Sequence, residues 1–360
     1  MTRLQRVFES LLAAEPTSGS ALSLYRDGEE LLCLSGGYAR PGQPWGHDTL
    51  VPVFSATKAV AAACLLNALA EQGQDARLML GEIWPEFPRP RATVAQFLSH
   101  QLGLAALENP LPMEDLDAFR VAFERSAPDM VYGYHPQTFG PLADILMQKL
   151  NGGRICDYWE YRIRRPLGLE LYLGHVPDEV LPRIAHLQAP RLPGGKMPTD
   201  AFYGAYFTAG SHVYRAFHSV VGYDSPREMN TPAAWRSGSP AKGAVASARG
   251  LSRFYQLLMN RRGDSPFAPA VAEQMGARQV SGFDRTLLCH TAFGCGAMVE
   301  PKEYFPGGGF GHAGAGGCHA FCIPERGISF AYIMNRMQLG ILPGERVLRL
   351  LAVLTNGEKE

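Results

Sequence analysis

Ser55-Ala56-Thr57-Lys58 carries a hydroxyl and an amine three residues apart. It stands where Leu50-Val51-Pro52-Val53-Phe54 enters a long Ala- and Leu-rich segment. If that segment is a helix, positions i and i+3 share a face and the Lys58 amine reaches the Ser55 hydroxyl. A serine hydroxyl is a weak nucleophile until a base takes its proton. Lysine can be that base if its pKa falls from about 10.4 towards 7 or 8, a shift of roughly 4 kcal/mol. Burial at a helix start lowers it, as does the positive end of the helix dipole. The same helix start turns backbone N–H groups towards an oxyanion formed at Ser55. Taken alone, Ser-x-x-Lys is common and also describes an N-cap serine beside a surface lysine.

Two further segments hold chemistry. Tyr132-Gly133-Tyr134-His135-Pro136 ends a loop just before a helix expected from Gln137. A phenol there can point into a cleft and relay a proton beside a lysine. It can also be a buried tyrosine bonded to a backbone carbonyl. The run from Gly307 to Gly317 holds nine glycines and alanines ahead of an expected strand, which lets a substrate approach the sheet edge closely. Gly309, Gly311 and Gly314 spell a literal Gly-x-Gly-x-x-Gly. Dinucleotide binding needs a strand before that motif and a helix after it, whereas two strands are expected after it here. There is no Gly-x-Ser-x-Gly elbow, Walker A or His-Glu-x-x-His motif. Cys318-His319-Ala320-Phe321-Cys322 is the only local cysteine cluster and lacks further ligands at metal-binding spacing. No cofactor and no metal is expected.

The elements that must position these groups follow from pattern. Leu4, Val7, Phe8, Leu11 and Leu12 give the first 15 residues one apolar helical face. Ala21–Tyr25 and Glu30–Leu34 read as strands joined at Asp27-Gly28, followed by a Gly/Pro-rich loop from Gly36 to Pro52. A long helix is expected from Ser55 to Gln72. Further helices are expected at Thr93–His100, Glu114–Arg125, Gln137–Leu150, Ile155–Arg164, Ser247–Asn260 and Gly344–Thr355. Late strands are expected at Phe293–Val299, Gly317–Ile323 and Ile328–Met334; the region after Ala205 is ambiguous. Strands at both ends with helices between them indicate an α/β fold. Residues 1–83 and 236–360 would form an antiparallel sheet domain flanked by helices, with 84–235 as a mainly helical inserted domain.

The chain has 360 residues, 34 basic and 34 acidic, with 46% apolar residues. That composition excludes a disordered chain, and the zero net charge gives no electrostatic reason to bind nucleic acid or acidic lipid. Seven cysteines at irregular spacing argue against a secreted disulfide framework. No signal peptide is read at the N-terminus, and the longest near-apolar run, Ala59 to Ala70, is too short to span a bilayer. A cytoplasmic protein is expected, acting on a small molecule, with no nucleic-acid or membrane partner. Its oligomeric state is not legible.

Together these segments resemble the serine β-lactamase and penicillin-binding-protein superfamily, and most of all the class C-like branch that holds the family VIII carboxylesterases. The resemblance rests on Ser-x-x-Lys at 55–58, the tyrosine at 134 and the His-x-Gly triplet at 312–314, in that order. Trp84-Pro85-Glu86-Phe87, Leu98 to Leu104, Pro166-Leu167-Gly168-Leu169 and Phe330 to Met337 add to it. It implies that Ser55 is the acyl-accepting nucleophile and that Lys58 and Tyr134 share the general-base and general-acid work. The N–H groups of Ser55 and Ala315 would form the oxyanion hole. His135, His312 and Gly314 would meet the substrate.

The chain departs from the β-lactamase pattern at informative places. Tyr134-His135-Pro136 stands where β-lactamases carry Tyr-x-Asn, and proline offers no side-chain hydrogen bond. His312-Ala313-Gly314 stands where they carry Lys-Thr-Gly, so a mostly neutral imidazole replaces a fixed cation. Relatives often have asparagine where Lys242 stands. The resulting expectation is a serine hydrolase cleaving small carboxylic esters through an acyl-enzyme on Ser55. The alternatives are a β-lactamase, a D-amino-acid peptidase or amidase, an acyltransferase, and a catalytically idle scaffold or filament protein. A His312 protonated by a neighbour would mimic the missing lysine.

Overall fold

The structure is a computed structural model that describes residues 2–127, 129–192 and 197–356; the expectations that fall on 1, 128, 193–196 and 357–360 lie outside the described residues. A nine-stranded sheet is built from the two ends of the chain. The N-terminal part supplies β1 (Gly19–Arg26), β2 (Glu29–Arg40) and β3 (Gln43–Pro44). The C-terminal part supplies β4 (Val280–Asp284), β5 (Cys289–Phe293), β6 (Met298–Glu300), β7 (Phe310–Gly314), β8 (Cys318–Ile323) and β9 (Ile328–Met334). The order is β3-β2-β1-β9-β8-β7-β6-β5-β4, and neighbours run antiparallel. The two ends join where β1 pairs with β9, from Ser20 opposite Met334 to Arg26 opposite Ile328. All seven residues of β9, Ile-Ser-Phe-Ala-Tyr-Ile-Met, are buried, as a strand covered on both faces requires. Asp27 and Gly28 both take positive φ (49° and 81°), the turn that their dipeptide favours.

Helix α1 (Arg3–Ala13) buries Leu4, Phe8 and Leu11 and packs beside the last helix of the chain and against β1 and β2. Helix α2 (Thr57–Glu71) is of another kind. Every side chain from Thr57 to Leu69 is buried, so it has no solvent face and serves as a central strut. It packs against α3 (Phe139–Asn151) and reaches β7. Helix α4 (Ala248–Met259) lies on β1, β8 and β9, started by Ser247, whose hydroxyl accepts the Gly250 N–H at 3.0 Å. A second, three-stranded sheet joins Val51–Pro52, Ala244–Ala246 and Leu171–Leu173. It fixes the segment leading to Ser55 against the segment following Lys242. Among the described residues no helix is long and apolar enough to cross a membrane.

Three sequence expectations are corrected. The glycine run is not a loop ahead of the sheet: Phe310–Gly314 is strand β7 within it. Small residues are required there because a Cβ at Gly311 would lie 2.2 Å from the Ala320 carbonyl oxygen. The strand expected at Phe293–Val299 is two strands, β5 and β6, broken by a turn in which Gly296 takes φ 73° and a Cβ would strike Ala62. Strand β4 went unread, and β2 runs on to Arg40, because half-exposed strands with glycine lack clean alternation.

Candidate active site

Ser55 sits in a single 3₁₀ turn, Phe54–Ala56, immediately before α2. Phe54 takes a left-handed φ of 48°, which is uncommon for a bulky residue and stores about 1–3 kcal/mol of strain. The surroundings hold it there. The Thr57 hydroxyl donates to the Phe54 carbonyl at 2.6 Å and accepts the Ala244 N–H at 3.1 Å. The Val53 N–H donates to the Ala244 carbonyl at 3.0 Å. Lys58, one turn on, is fully buried, with Nζ 3.1 Å from Ser55 Oγ. The amine also donates to the carbonyls of Pro136 at 2.8 Å and Ala241 at 2.9 Å. No carboxylate is among its partners. Burial pulls its pKa well below the ordinary 10.5, and the charge on Lys242 pulls the same way. A neutral amine has two N–H donors and one lone pair. With the Pro136 and Ala241 carbonyls taking the donors, such an amine would turn its lone pair to Ser55 Oγ.

Tyr134 is held by its backbone. Three consecutive N–H groups each meet a fixed acceptor: Gly133 the His100 carbonyl at 3.1 Å, Tyr134 the Asp284 carboxylate at 3.0 Å, and His135 the His100 Nδ1 at 3.2 Å. The phenol ring lies with its centroid 5.0 Å from Lys58 Nζ. Its hydroxyl is buried outside hydrogen-bonding geometry with any side chain. Burial raises the phenol pKa from its ordinary 10, and the nearby Ser55 side chain opposes the rise. The phenol therefore keeps its proton at neutral pH.

A cleft of about 360 Å³ opens over this centre and is lined by Ser55, Pro136, Lys242 and Ala315, among others. Ser55 and Ala315 thus face the same space. His135, His312 and Gly314, which the resemblance puts at the substrate, are not among the residues lining this cleft. His135 and His312 are buried among rings and strands. Their Nδ1 atoms lie 2.8 Å from the Gly133 carbonyl and 2.7 Å from the Ala313 carbonyl, which places each proton on Nδ1. Burial drives the pKa of both down to about 3, so His312 stays neutral from pH 8 to 6 and does not replace a cation. Gly314 is a close-approach residue: a Cβ would stand 2.2 Å from the Val53 carbonyl oxygen, two residues before Ser55. Lys242 lines the cleft but is committed, with Nζ 2.5 Å from Asp224 Oδ1 and 3.0 Å from the Gly222 carbonyl. Asp224 also accepts from Gln137 Nε2 at 2.7 Å. Among the described residues, the trio Cys156, Asp157 and His175 has metal-ligand atoms within 4.8 Å of one another, and none of the three lines the cleft.

Sequence reasoning missed the positioning groups. The Pro136 and Ala241 carbonyls carry no side-chain signal. Asp284 is fully buried, and no salt bridge ties it to a cation among the described residues. It accepts from Thr286 N at 2.8 Å, Leu287 N at 2.9 Å and Thr291 Oγ1 at 3.2 Å besides Tyr134 N. Burial raises its pKa above the usual carboxylate value, and these hydrogen bonds oppose the rise. Asp284-Arg285-Thr286 is a turn signature that could have marked it.

An antiparallel sheet beside an all-buried helix, with serine and lysine one turn apart at its head, is how serine hydrolases of the β-lactamase fold are built, and this chain is one. It belongs to the Beta-lactamase family, whose model matches residues 4–354. It is 30% identical to Esterase/beta-lactamase LipL of Mycobacterium tuberculosis (strain ATCC 25618 / H37Rv), over 92% of this chain and 80% of that protein. A penicillin-binding protein homolog from Caulobacter crescentus is 31% identical with a TM-score of 0.82, covering 98% of this chain and 96% of that one. A family VIII carboxylesterase shares the fold with a TM-score of 0.83 at 24% identity, covering 97% and 95% of the two chains.

Asp284→Asn turns one carboxylate oxygen into a donor facing donors. It should lower stability in urea unfolding by about 1–3 kcal/mol and reduce kcat more than it raises KM, because Tyr134 loses its anchor. A change under about 0.5 kcal/mol with unaltered kcat contradicts the anchoring role.

Proposed function

We propose that the chain is a carboxylesterase that cleaves small, uncharged esters through an acyl-enzyme on Ser55. The observation that carries this reading is the buried Lys58 amine, 3.1 Å from Ser55 Oγ and otherwise held by two carbonyls. The neutral amine takes the Ser55 proton as Oγ attacks the ester carbonyl. The oxyanion forms against the N–H groups of Ser55 and Ala315. Tyr134, which keeps its proton, passes it to the departing alkoxide, and the lysine re-protonates it. Water then repeats the sequence on the acyl-enzyme. The two titrations belong to the pair.

Esters are favoured over β-lactams by the charges. A β-lactam antibiotic carries a carboxylate. Lys242 is the only cation among the described lining residues, and Asp224 already holds it. His312 is neutral and lies outside the cleft. A hydrogen bond to a charged group is worth about 1.5–3 kcal/mol, so its loss costs roughly ten- to a hundredfold. Pro136 in place of an asparagine leaves the lactam side-chain amide unmet, for about 1–3 kcal/mol more. Esterase/beta-lactamase LipL carries both activities in its name, so the comparison of substrates is a real test.

Ser55→Ala should abolish turnover and fluorophosphonate labelling while leaving the circular dichroism unchanged. Lys58→Ala and Tyr134→Phe should each lower kcat by at least about 10²-fold, and the double variant by less than the product of the two. Residual Ser55→Ala activity within tenfold of the parent refutes the nucleophile. A fully multiplicative double variant refutes the shared role.

Short-chain p-nitrophenyl esters should exceed penicillins and cephalosporins in kcat/KM by at least about 10³-fold, with no rise in lactam hydrolysis between pH 8 and 6. Nitrocefin turnover comparable to the ester rate at pH 8 would overturn the preference for esters.

A further inference from the structure

The cleft is built for more than an acetyl group. One wall is aromatic: Phe202, Tyr203, Tyr206, Phe207, Phe217 and Tyr223 all line it. Four come from the short helix Ala201–Tyr206 and the residue after it, a helix begun by Asp200, whose side chain accepts the Tyr203 N–H at 3.0 Å. The rings brace one another. Tyr206 stands 5.4 Å from Phe217 and 5.1 Å from Phe207, both edge to face, and Phe202 stands 5.7 Å from Phe217. Their mutual contacts fix the wall before a ligand arrives, yet none of these rings is buried, and Phe207 is 57% exposed. Exposed aromatic surface of this extent is unfavourable in water unless something covers it.

The facing wall is aliphatic, made by Met337, Leu339 and Ile341 in the loop after β9. Tyr203 of the ring wall and Gly340 of this loop border the same cavity. Ser55 and Ala315 border the space between the walls. The polar side, Gln137, Asp224 and Lys242, is closed on itself by the 2.7 Å and 2.5 Å bonds to Asp224. It offers neither a free cation nor a free anion. At about 360 Å³ the cleft lies within the roughly 300–1,000 Å³ span of small-molecule sites.

The geometry points to a substrate class: neutral esters carrying an aryl group, seated between the ring wall of residues 202–223 and the Met337–Ile341 segment while the ester carbonyl meets Ser55. A flat ring fits this space because aromatic pairs prefer edge-to-face or offset contacts at about 4.5–7 Å, the spacing the wall already shows within itself. Two ends of an ester can carry the aryl group, and both place the same chemistry in the cleft. The inference rests on the esterase reading.

The test uses the full chain and two matched substrate pairs. The acyl arm compares p-nitrophenyl 3-phenylpropionate with p-nitrophenyl acetate, which share a leaving group. The alcohol arm compares 2-phenylethyl acetate with ethyl acetate, which share an acyl group. In one arm, kcat/KM should rise at least about tenfold with the ring, and Phe207→Ala and Tyr206→Leu should each lower that ratio at least about threefold. Phe207 is exposed, so its truncation does not threaten the fold. If acetate turns over and both ratios stay within threefold of unity, the esterase reading stands and the aryl class is overturned. Ratios that persist in both variants, with parental circular dichroism, also overturn it. If no ester in either arm is cleaved, the esterase reading falls and this inference with it.

Discussion

The structure turns on a lysine amine kept dry beside a serine. Lys58 is fully buried and no anion among the described residues balances a charge there, so desolvation favours the neutral amine. The fold surrounds that amine from three separate parts of the chain. Ser55 comes from the turn before α2, Pro136 from the loop before α3, and Ala241 from the segment entering the small sheet. Each piece is fixed by backbone bonds of its own: Val53 to Ala244, and the 133–135 N–H groups to His100 and Asp284. Loosening any of them would admit water to Lys58 and return its pKa towards the ordinary value.

That requirement explains features that look like ordinary packing. Helix α2 is buried all round, and its first turn carries the amine. Strand β7 has glycine at 314 because it passes against the turn that bears Ser55, where a Cβ would stand 2.2 Å from the Val53 carbonyl oxygen. His100, His135 and His312 ring the centre as neutral groups, their pKa values lowered by burial. Three more protonated rings there would repel any cation formed on Lys58 during turnover. In the outer cleft Lys242 and Asp224 pair with each other, and many of the lining side chains are aromatic.

The sequence made some of this legible. Ser55 and Lys58 were readable because helical spacing alone brings i and i+3 together. The ends-together sheet followed from strands at both termini, and the α1 face from Leu4, Phe8 and Leu11. What escaped depends on tertiary approach. Backbone carbonyls at Pro136 and Ala241 have no residue signature. Asp284 reads as a turn former until its four hydrogen bonds are seen. Strand β7 hid in a glycine run because close packing demands the same small residues that a flexible loop does. Likeness to a lysine triplet puts His312 at the substrate, whereas the structure buries its side chain and leaves it out of the cleft lining.

The central claim is that Lys58 is an uncharged amine poised to take the Ser55 proton. The most direct measurement is the pH titration of the Lys58 side chain by ¹³Cε and ¹⁵Nζ NMR in lysine-labelled protein, assigned with Lys58→Arg. The account predicts a neutral amine at pH 8, with a midpoint well below the ordinary 10.5. A Lys58 ammonium that persists unchanged up to pH 10 would contradict it.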